Sequence, residues 1–390
     1  MADRIQKIIG PRGTSYLVRV EYPPDPVTGK RRQRSKSFTT KKEAEKELAK
    51  WLVEIERGTA IEGSKMTVGE YLLHWVDTVA RHNVRVTTYE SYRWMIAKHI
   101  IPTLGSVPLQ KLTAAQVQGF YSEKLSGGAS PRLVHLCHLR LRQALTQAVK
   151  WNMVSRNVTD AVDAPTVRYK RGGTWTPAEA RTFLAAALSD GYSPLWHLAL
   201  ATGMRRGELL GLRWQDVDEK RGTIAVFQNV VAYKGAALIQ EPKTPAARRT
   251  VILDPMCLSL LRAHRKRQAA RQLAAGPEWR NLDLIFTTPD GGPINPNNVS
   301  RNFAVIMQRA EQQRKAEHPD SLPLPRIRFH DMRHTHATLL LQEGEAVHTV
   351  SARLGHANAA ITLSIYAHVT PSMQESAAST IGRLLSEAAS

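Results

Sequence analysis

Four short clusters in the C-terminal half of this 390-residue chain hold side chains suited to work on a phosphodiester. In Thr202-Gly203-Met204-Arg205-Arg206-Gly207-Glu208, the Thr-Gly pair ends one helix and Arg205 opens the next. A guanidinium fixed there offers a planar donor fork that fits two phosphate oxygens. It would serve equally as a cap on the preceding helix or as a partner for Glu208. In Glu241-Pro242-Lys243-Thr244, Lys243 occupies a turn between strands, where a lysine is ordinarily a solvated charge, and Lys234 is a nearby competitor. Only the company of the other clusters gives it a candidate catalytic role.

Phe329-His330-Asp331-Met332-Arg333-His334-Thr335-His336 puts His330 and Arg333 three residues apart, on one helical face. A histidine can trade a proton near neutral pH, and an arginine beside it can stabilise the extra charge of a pentacoordinate phosphorus. The rival reading is a metal site, with His330 and His334 at i, i+4 and Asp331 and His336 close by. Zinc usually needs a further well-placed ligand, and no glutamate stands between the two histidines to act as a base. The last cluster is Leu354-Gly355-His356 followed by Ile361 to His368, with Tyr366 inside it. A phenol of pKa about 10 is a poor nucleophile at neutral pH, and a tyrosine in a helical stretch is ordinarily core. Several cations and a proton acceptor around it would make it competent.

The elements that must bring these clusters together can be read in outline. Ser15 to Tyr22 and the basic run Lys30 to Phe38 read as strands joined by a Pro-rich turn. Thr40-Lys41-Lys42-Glu43 is a capping box opening a helix to about Arg57. Lys30, Arg31, Arg32, Arg34 and Lys36 make the second strand too charged to bury on both faces, which suggests a strand lying in a DNA groove rather than a merely solvated edge. Further helix starts are read at Thr67-x-x-Glu70, Thr87-x-x-Glu90, Thr113-x-x-Gln116 and Ser130-Pro131, giving an all-α domain. Its basic surface includes Arg132, Arg140 and Arg142. A basic linker around Asp163 to Gly173 leads to Thr176-Pro177-Ala178-Glu179, which opens the largest domain. That domain is mostly helical, with small strands expected over Thr223 to Val231, Ala237 to Gln240 and Thr250 to Leu253, and a basic pair Arg248-Arg249. The boundaries fall at 1–63, 64–165 and 171–390, and the fold class is mainly α with small sheets.

The formal charge is +20, divided as +5, +8 and +7 over 1–63, 64–170 and 171–390. A surplus spread over every piece points to a polyanion that touches all of them, and to nucleic acid before a membrane surface. No run of about 20 apolar residues is present to span a bilayer. The two cysteines, Cys137 and Cys257, are too few and too far apart for a disulfide framework. They fit a reducing, cytoplasmic setting, with Cys137 on an apolar helical stripe as a core thiol.

Taken in order, Thr-Gly-X-Arg-X-Gly-Glu, His-X-X-Arg-His, Leu-Gly-His and the late tyrosine resemble the catalytic boxes of the tyrosine recombinase, or phage integrase, family. The resemblance spans the chain. Residues 64–165, with Thr87-Thr88-Tyr89 and Ile101-Pro102-X-Leu104-Gly105, are similar to its SAM-like core-binding domain. Residues 1–60, with Thr28-Gly29-Lys30 and Phe38-Thr39-Thr40, are similar to its AP2-like arm-binding domain. It implies that Arg205 and Arg333 clamp the scissile phosphate, that Lys243 protonates the leaving 5′-oxygen, that His330 assists proton transfer and that His356 hydrogen-bonds the phosphate. Tyr366 would then be the nucleophile that forms a 3′-phosphotyrosine, with Glu208 supporting the site. The implied protein is an integrase of a mobile element, needing no cofactor or metal. It would act as a homotetramer on two duplexes, through a Holliday junction, at core and arm sites, with a host bending protein or directionality factor as a further partner. Rival readings are a chromosome-dimer resolvase, against which the extra N-terminal domain argues, and a non-catalytic DNA-binding regulator that kept the fold.

Overall fold

The computed structural model describes residues 5–10, 13–22, 32–56, 65–167, 172–241, 248–355, 379 and 381. The chain divides into two compact units, Met1–Tyr169 and Lys170–Ser390. No helix among the described residues is long and apolar enough to cross a membrane.

The first unit begins with an antiparallel sheet of β1 (Ile5–Gly10), β2 (Gly13–Tyr22) and β3 (Arg32–Phe38), followed by α1 (Lys41–Glu56). Alternation along β2 puts Val18 and Val20 on one face, where they meet Ala44 and Trp51 of α1 in a small core. The register pairs Val18 with Lys36 and Val20 with Arg34. Directly paired residues point the same way, so Arg34 and Lys36 lie on the helix-covered side of β3. The helix start is half a capping box: the Thr40 hydroxyl accepts from the Glu43 amide at 3.3 Å, and the Glu43 carboxylate takes the Thr39 hydroxyl instead.

The longer helices in the remainder of this unit are α2 (Val68–Trp75), α3 (Val86–Met95), α4 (Ala114–Ser126) and α5 (Pro131–Lys150). Reciprocal capping boxes at Thr67/Glu70 and Thr113/Gln116 start α2 and α4 as the sequence predicts, and the Ser130 hydroxyl caps α5. The start expected at Thr87 differs. The helix begins at Val86 after Arg85, with no side-chain cap. Tertiary bonds hold it instead, since Asp77 accepts from the Tyr89 hydroxyl at 2.7 Å and from Arg93 at 2.8 Å. Cys137 is buried with Leu141 and Leu145, and burial pushes its thiol up to about 11.

The second unit opens with α6 (Pro177–Ala186), started by the Thr176/Glu179 box, then α7 (Ser193–Thr202) and the short α8 (Arg206–Leu210). β4 (Val217–Asp218), β5 (Thr223–Val226) and β8 (Arg249–Ile252) form one antiparallel sheet; β6 (Asn229–Tyr233) and β7 (Ala236–Gln240) form a hairpin. The run expected as one strand over Thr223 to Val231 is therefore split between two sheets. Helices α9 (Pro255–Ala275), α10 (Pro296–Glu317), α11 (Asp331–Gln342) and α12 (Val347–Leu354) complete the described part. Trp175, Phe183, Trp196, Phe303 and Phe329 pack ring on ring at centroid distances from 5.0 to 6.1 Å. This aromatic cluster anchors Phe329 and so fixes the backbone that leads into His330.

Candidate active site

Gly203 ends α7 in the left-handed conformation, at φ 61°. That turn sends the chain directly into α8, and it needs glycine twice over. An L side chain rarely adopts that φ, and a Cβ would meet Leu354 at 2.6 Å and the His336 ring at 2.7 Å. Gly207 is required by close approach, because a Cβ there would stand 2.7 Å from the Val230 carbonyl oxygen of β6. Gly203 and Gly207 are thus spacers that let α8 press on its neighbours and hold Arg205 and Glu208 in place.

Arg205 is the N-cap residue of α8. Its backbone N–H donates to Glu208 Oε2 at 2.9 Å and its Nη1 to Glu208 Oε1 at 2.7 Å. The pairing with Glu208 that the sequence allowed is present, and the arginine side chain is still 41% exposed. Glu208 is buried and receives a second guanidinium, Arg249 Nη2, at 2.9 Å. Burial alone would raise its pKa; Arg249 and then Arg205 outweigh burial and hold the carboxyl below the usual range.

Arg333 is 4% exposed. Its guanidinium donates to the Gly203 carbonyl at 2.7 Å and the Leu354 carbonyl at 2.8 Å. One side chain therefore ties the end of α7, the helix α11 that carries it, and the end of α12. Two further bonds tighten the same junction: Arg353 to the Ala201 carbonyl at 2.8 Å, and His336 Nδ1 with the Leu200 carbonyl at 2.7 Å. Clusters separated by more than a hundred residues are joined through arginine–carbonyl bonds, which need no second charged group.

His330 immediately precedes α11, with its ring edge-on to His334 at 5.3 Å between centroids. Partial burial, then the His334 and Arg333 charges and, behind them, Arg205, hold its pKa below that of a free histidine. Arg333 stands three residues after His330 and donates to the carbonyl of Gly203, two residues before Arg205, which brings the three groups to one junction. The metal reading finds its other ligands engaged. Asp331 is buried and accepts from Arg328 Nε at 3.0 Å and Nη2 at 2.9 Å, and His336 packs behind the helix under Gly203. Lys243, His356 and Tyr366 lie outside the described residues.

The expected DNA-facing residues meet several fates. Lys30 and Arg31 lie outside the described residues, and of Arg32 only the backbone, in β3, is described. Arg34 stacks its guanidinium 4.3 Å from the centre of the Trp51 ring, so it seals the edge of the small core. Lys36 is exposed and lies 5.1 Å over Phe38. Arg132 is exposed on α5. Arg140 packs at 4.0 Å over Tyr92, and Arg142 is paired with Asp160 at 3.2 Å. Arg248 is exposed beside Glu241. Arg249 departs from that expectation, because its side chain is only 8% exposed and its guanidinium meets the buried Glu208 carboxylate at 2.9 Å. The open face of the sheet instead presents Arg19, Gln33 and Ser35, all exposed. Arg19 was not singled out in the sequence, although the signal was there: it stands between Val18 and Val20, whose burial turns it outward.

Residues 176–373 match the family model described as phage integrase family; 67–125 match a phage integrase N-terminal SAM-like domain, and 6–55 an arm DNA-binding domain. A tyrosine recombinase XerC-like protein of Caldanaerobacter subterraneus is 28% identical, over 88% of this chain and 90% of its own length. The ICEBs1 integrase of Bacillus subtilis is 26% identical, over 95% and 97%. In fold, the chain is similar to the Tn1549 transposon integrase solved with a circular intermediate DNA. That likeness has a TM-score of 0.66 and 22% identity, over 82% of this chain and 99% of the other.

Proposed function

The chain belongs to the phage integrase family, and from that premise we propose that it integrates and excises a mobile element by cutting and rejoining DNA through Tyr366. In this reading Arg205 and Arg333 bind the two non-bridging oxygens of the scissile phosphate. The phenol oxygen of Tyr366 attacks the phosphorus, the P–O5′ bond breaks, and Lys243 delivers a proton to the departing 5′-oxygen. A 3′-phosphotyrosine and a free 5′-hydroxyl result. One phosphodiester replaces another, so the bond energy is kept for the reverse attack by a 5′-hydroxyl of a partner duplex. His330, held neutral by its surroundings, assists proton transfer; His356 hydrogen-bonds the phosphate, and Glu208 fixes Arg205.

Each tyrosine can hold one strand end, and exchange between two duplexes breaks four strands. A homotetramer working through a Holliday junction follows. Three DNA-binding modules suit such an exchange, with residues 1–63 on arm sites and 64–165 and 171–390 on the crossover site. The observation that carries the reading is the junction at Arg333, where one buried guanidinium joins the Thr-Gly turn, α11 and the Leu354-Gly355 turn. Packing alone does not account for a buried cation there, since replacing buried ionic groups by apolar residues of similar volume is often neutral or stabilising.

The test is covalent trapping on a nicked duplex carrying the crossover sequence, which is found by sequencing the junctions the protein makes. Wild type should become linked to DNA, and Tyr366→Phe should bind the duplex without linking. If the two behave alike, the protein is a DNA-binding regulator with a retained fold. Lys243→Ala should slow linkage far more than it weakens binding; equal loss of both would remove the general-acid role.

A further inference from the structure

Of the two adjacent arginines at the start of β8, Arg248 points to solvent beside Glu241, with its side chain 53% exposed, while Arg249 turns inward and is almost fully covered. We propose that Arg249 is a positioning residue of the cleavage centre. Through Glu208 it fixes the direction of the Arg205 guanidinium, and through the Arg353 carbonyl it fixes the turn immediately before His356. The inference rests on the reading of Arg205 and Glu208 as parts of a phosphoryl-transfer site.

The geometry leads there in three steps. Arg249 Nε donates to the Arg353 carbonyl at 2.8 Å and Nη2 to Glu208 Oε2 at 2.9 Å. The two directions of one planar fork therefore reach the end of α12 and the acid of α8 at one fixed spacing, which the rotatable donors of a lysine ammonium would not impose. Next, Gly355 lies against this side chain, and a Cβ there would stand 3.0 Å from both Arg249 Cδ and Nη1. The left-handed turn at Gly355, φ 67°, is moulded on the arginine. Finally, the same Glu208 carboxylate that accepts from Arg249 accepts from the Arg205 backbone and guanidinium. A half-exposed Arg205 is steered by a buried acid, and that acid is steered by a buried arginine. Unlike Arg333, which donates to two carbonyls, Arg249 has its charge answered by a buried carboxylate at 2.9 Å, so that charge serves the scaffold.

Among the described residues, the charged groups that face Glu208 are Arg205, at the start of its own helix, and Arg249 from β8, with Arg353 of α12 behind Arg249. Removing Arg249 leaves a buried carboxylate with one guanidinium. Its ionised form is then harder to keep, so it takes up a proton as pH falls and releases Arg205. A purely structural arginine would lower the melting temperature without making catalysis sensitive to pH in this way.

The experiment measures single-turnover linkage of the full chain to the nicked crossover duplex at saturating DNA, across neutral pH, with gel-shift affinity and thermal unfolding alongside. Arg249→Met should be slower by about a hundredfold, as when one preorganised donor of a charged site is lost, with affinity nearly unchanged. Its deficit relative to wild type should deepen as pH falls. Arg249→Lys keeps the charge and should recover about tenfold of that loss, with a deficit independent of pH. In a Glu208→Gln background, Arg249→Met should add little and its pH dependence should vanish.

A lower melting temperature with unchanged linkage per folded molecule would overturn the proposal. So would weakened binding with an unchanged saturating rate, which would make Arg249 a DNA contact. If Arg249→Met does not fold, Arg249→Lys decides: a rate about tenfold below wild type at equal affinity supports the proposal, and a wild-type rate overturns it. A wild type that forms no linkage at all removes the reading of the centre, and this inference with it. Wild-type linkage beside an unaffected Arg249→Met removes the inference alone.

Discussion

Gly203→Ala is the smallest change that should disturb the centre, and its size can be worked from contacts. The left-handed backbone disfavours any L side chain by about 1–2 kcal/mol. The new methyl would also stand 2.6 Å from Leu354 Cδ2 and 2.7 Å from His336 Cδ2. Both neighbours are buried, so neither can swing away, and overpacking of this kind adds about 1–3 kcal/mol. The stiffer unfolded chain returns roughly 0.4–1 kcal/mol. The net loss is about 1–5 kcal/mol, which for a unit of this length lowers the melting temperature by about 2–20 °C. Relief of the overlap must also shift the Gly203 carbonyl, one of the two acceptors that hold Arg333. A displacement near 1 Å at a positioned group costs about a hundredfold in rate, so linkage at saturating DNA, measured well below the transition, should fall steeply while gel-shift affinity holds. A melting temperature within a degree or so of wild type, together with an unchanged rate, would refute both the packing and the coupling. A lowered melting temperature with an unchanged rate would refute the coupling alone.

Two further outcomes follow from other parts of the structure. His264 and His336 are buried and neutral, each pulled down to about 4, chiefly by burial. The unfolded chain protonates them near 6.5, so the stability they contribute is complete above that pH and lost as pH falls toward 4. Between pH 7 and 5 each should account for roughly 2 kcal/mol of destabilisation, readable by urea unfolding; a combined change under about 1 kcal/mol would contradict the burial argument. On the N-terminal sheet, Arg19→Ala should weaken binding to an arm-site duplex and reduce the salt slope by about one. Arg34→Ala should instead cost about 0.5–2 kcal/mol of stability from its lost contact with Trp51 and leave the slope unchanged. The opposite pattern in salt-titrated binding would show that the face was assigned wrongly.

What could be read from the sequence, and what could not, divides by how far each residue's partners lie along the chain. The starts of α2, α4 and α6 were legible because a threonine and the acid or amide three residues on satisfy each other locally. The start of α3 was misread because its support comes from Asp77, on another helix. The clusters around Arg205 and Arg333 were legible as types and spacings, and their convergence was not, since it is made by bonds such as Arg333 to the Gly203 carbonyl. In the strand β3, charge suggested exposure at every basic position. Alternation and the register with Val18 and Val20 decide otherwise for Arg34, whose hydrocarbon stem and flat cation can cover a tryptophan. Arg249 is the sharpest case. Beside Arg248 it reads as one more positive charge for DNA, and only Glu208, 41 residues earlier, and the Arg353 carbonyl, 104 residues later, turn it inward. Net charge therefore overstates the surface available to DNA in this chain: part of the basic surplus is spent inside, on arginines that draw distant segments onto one another. The contact with Glu208 that turns Arg249 away from the DNA surface is what lets it hold Arg205 in a fixed direction.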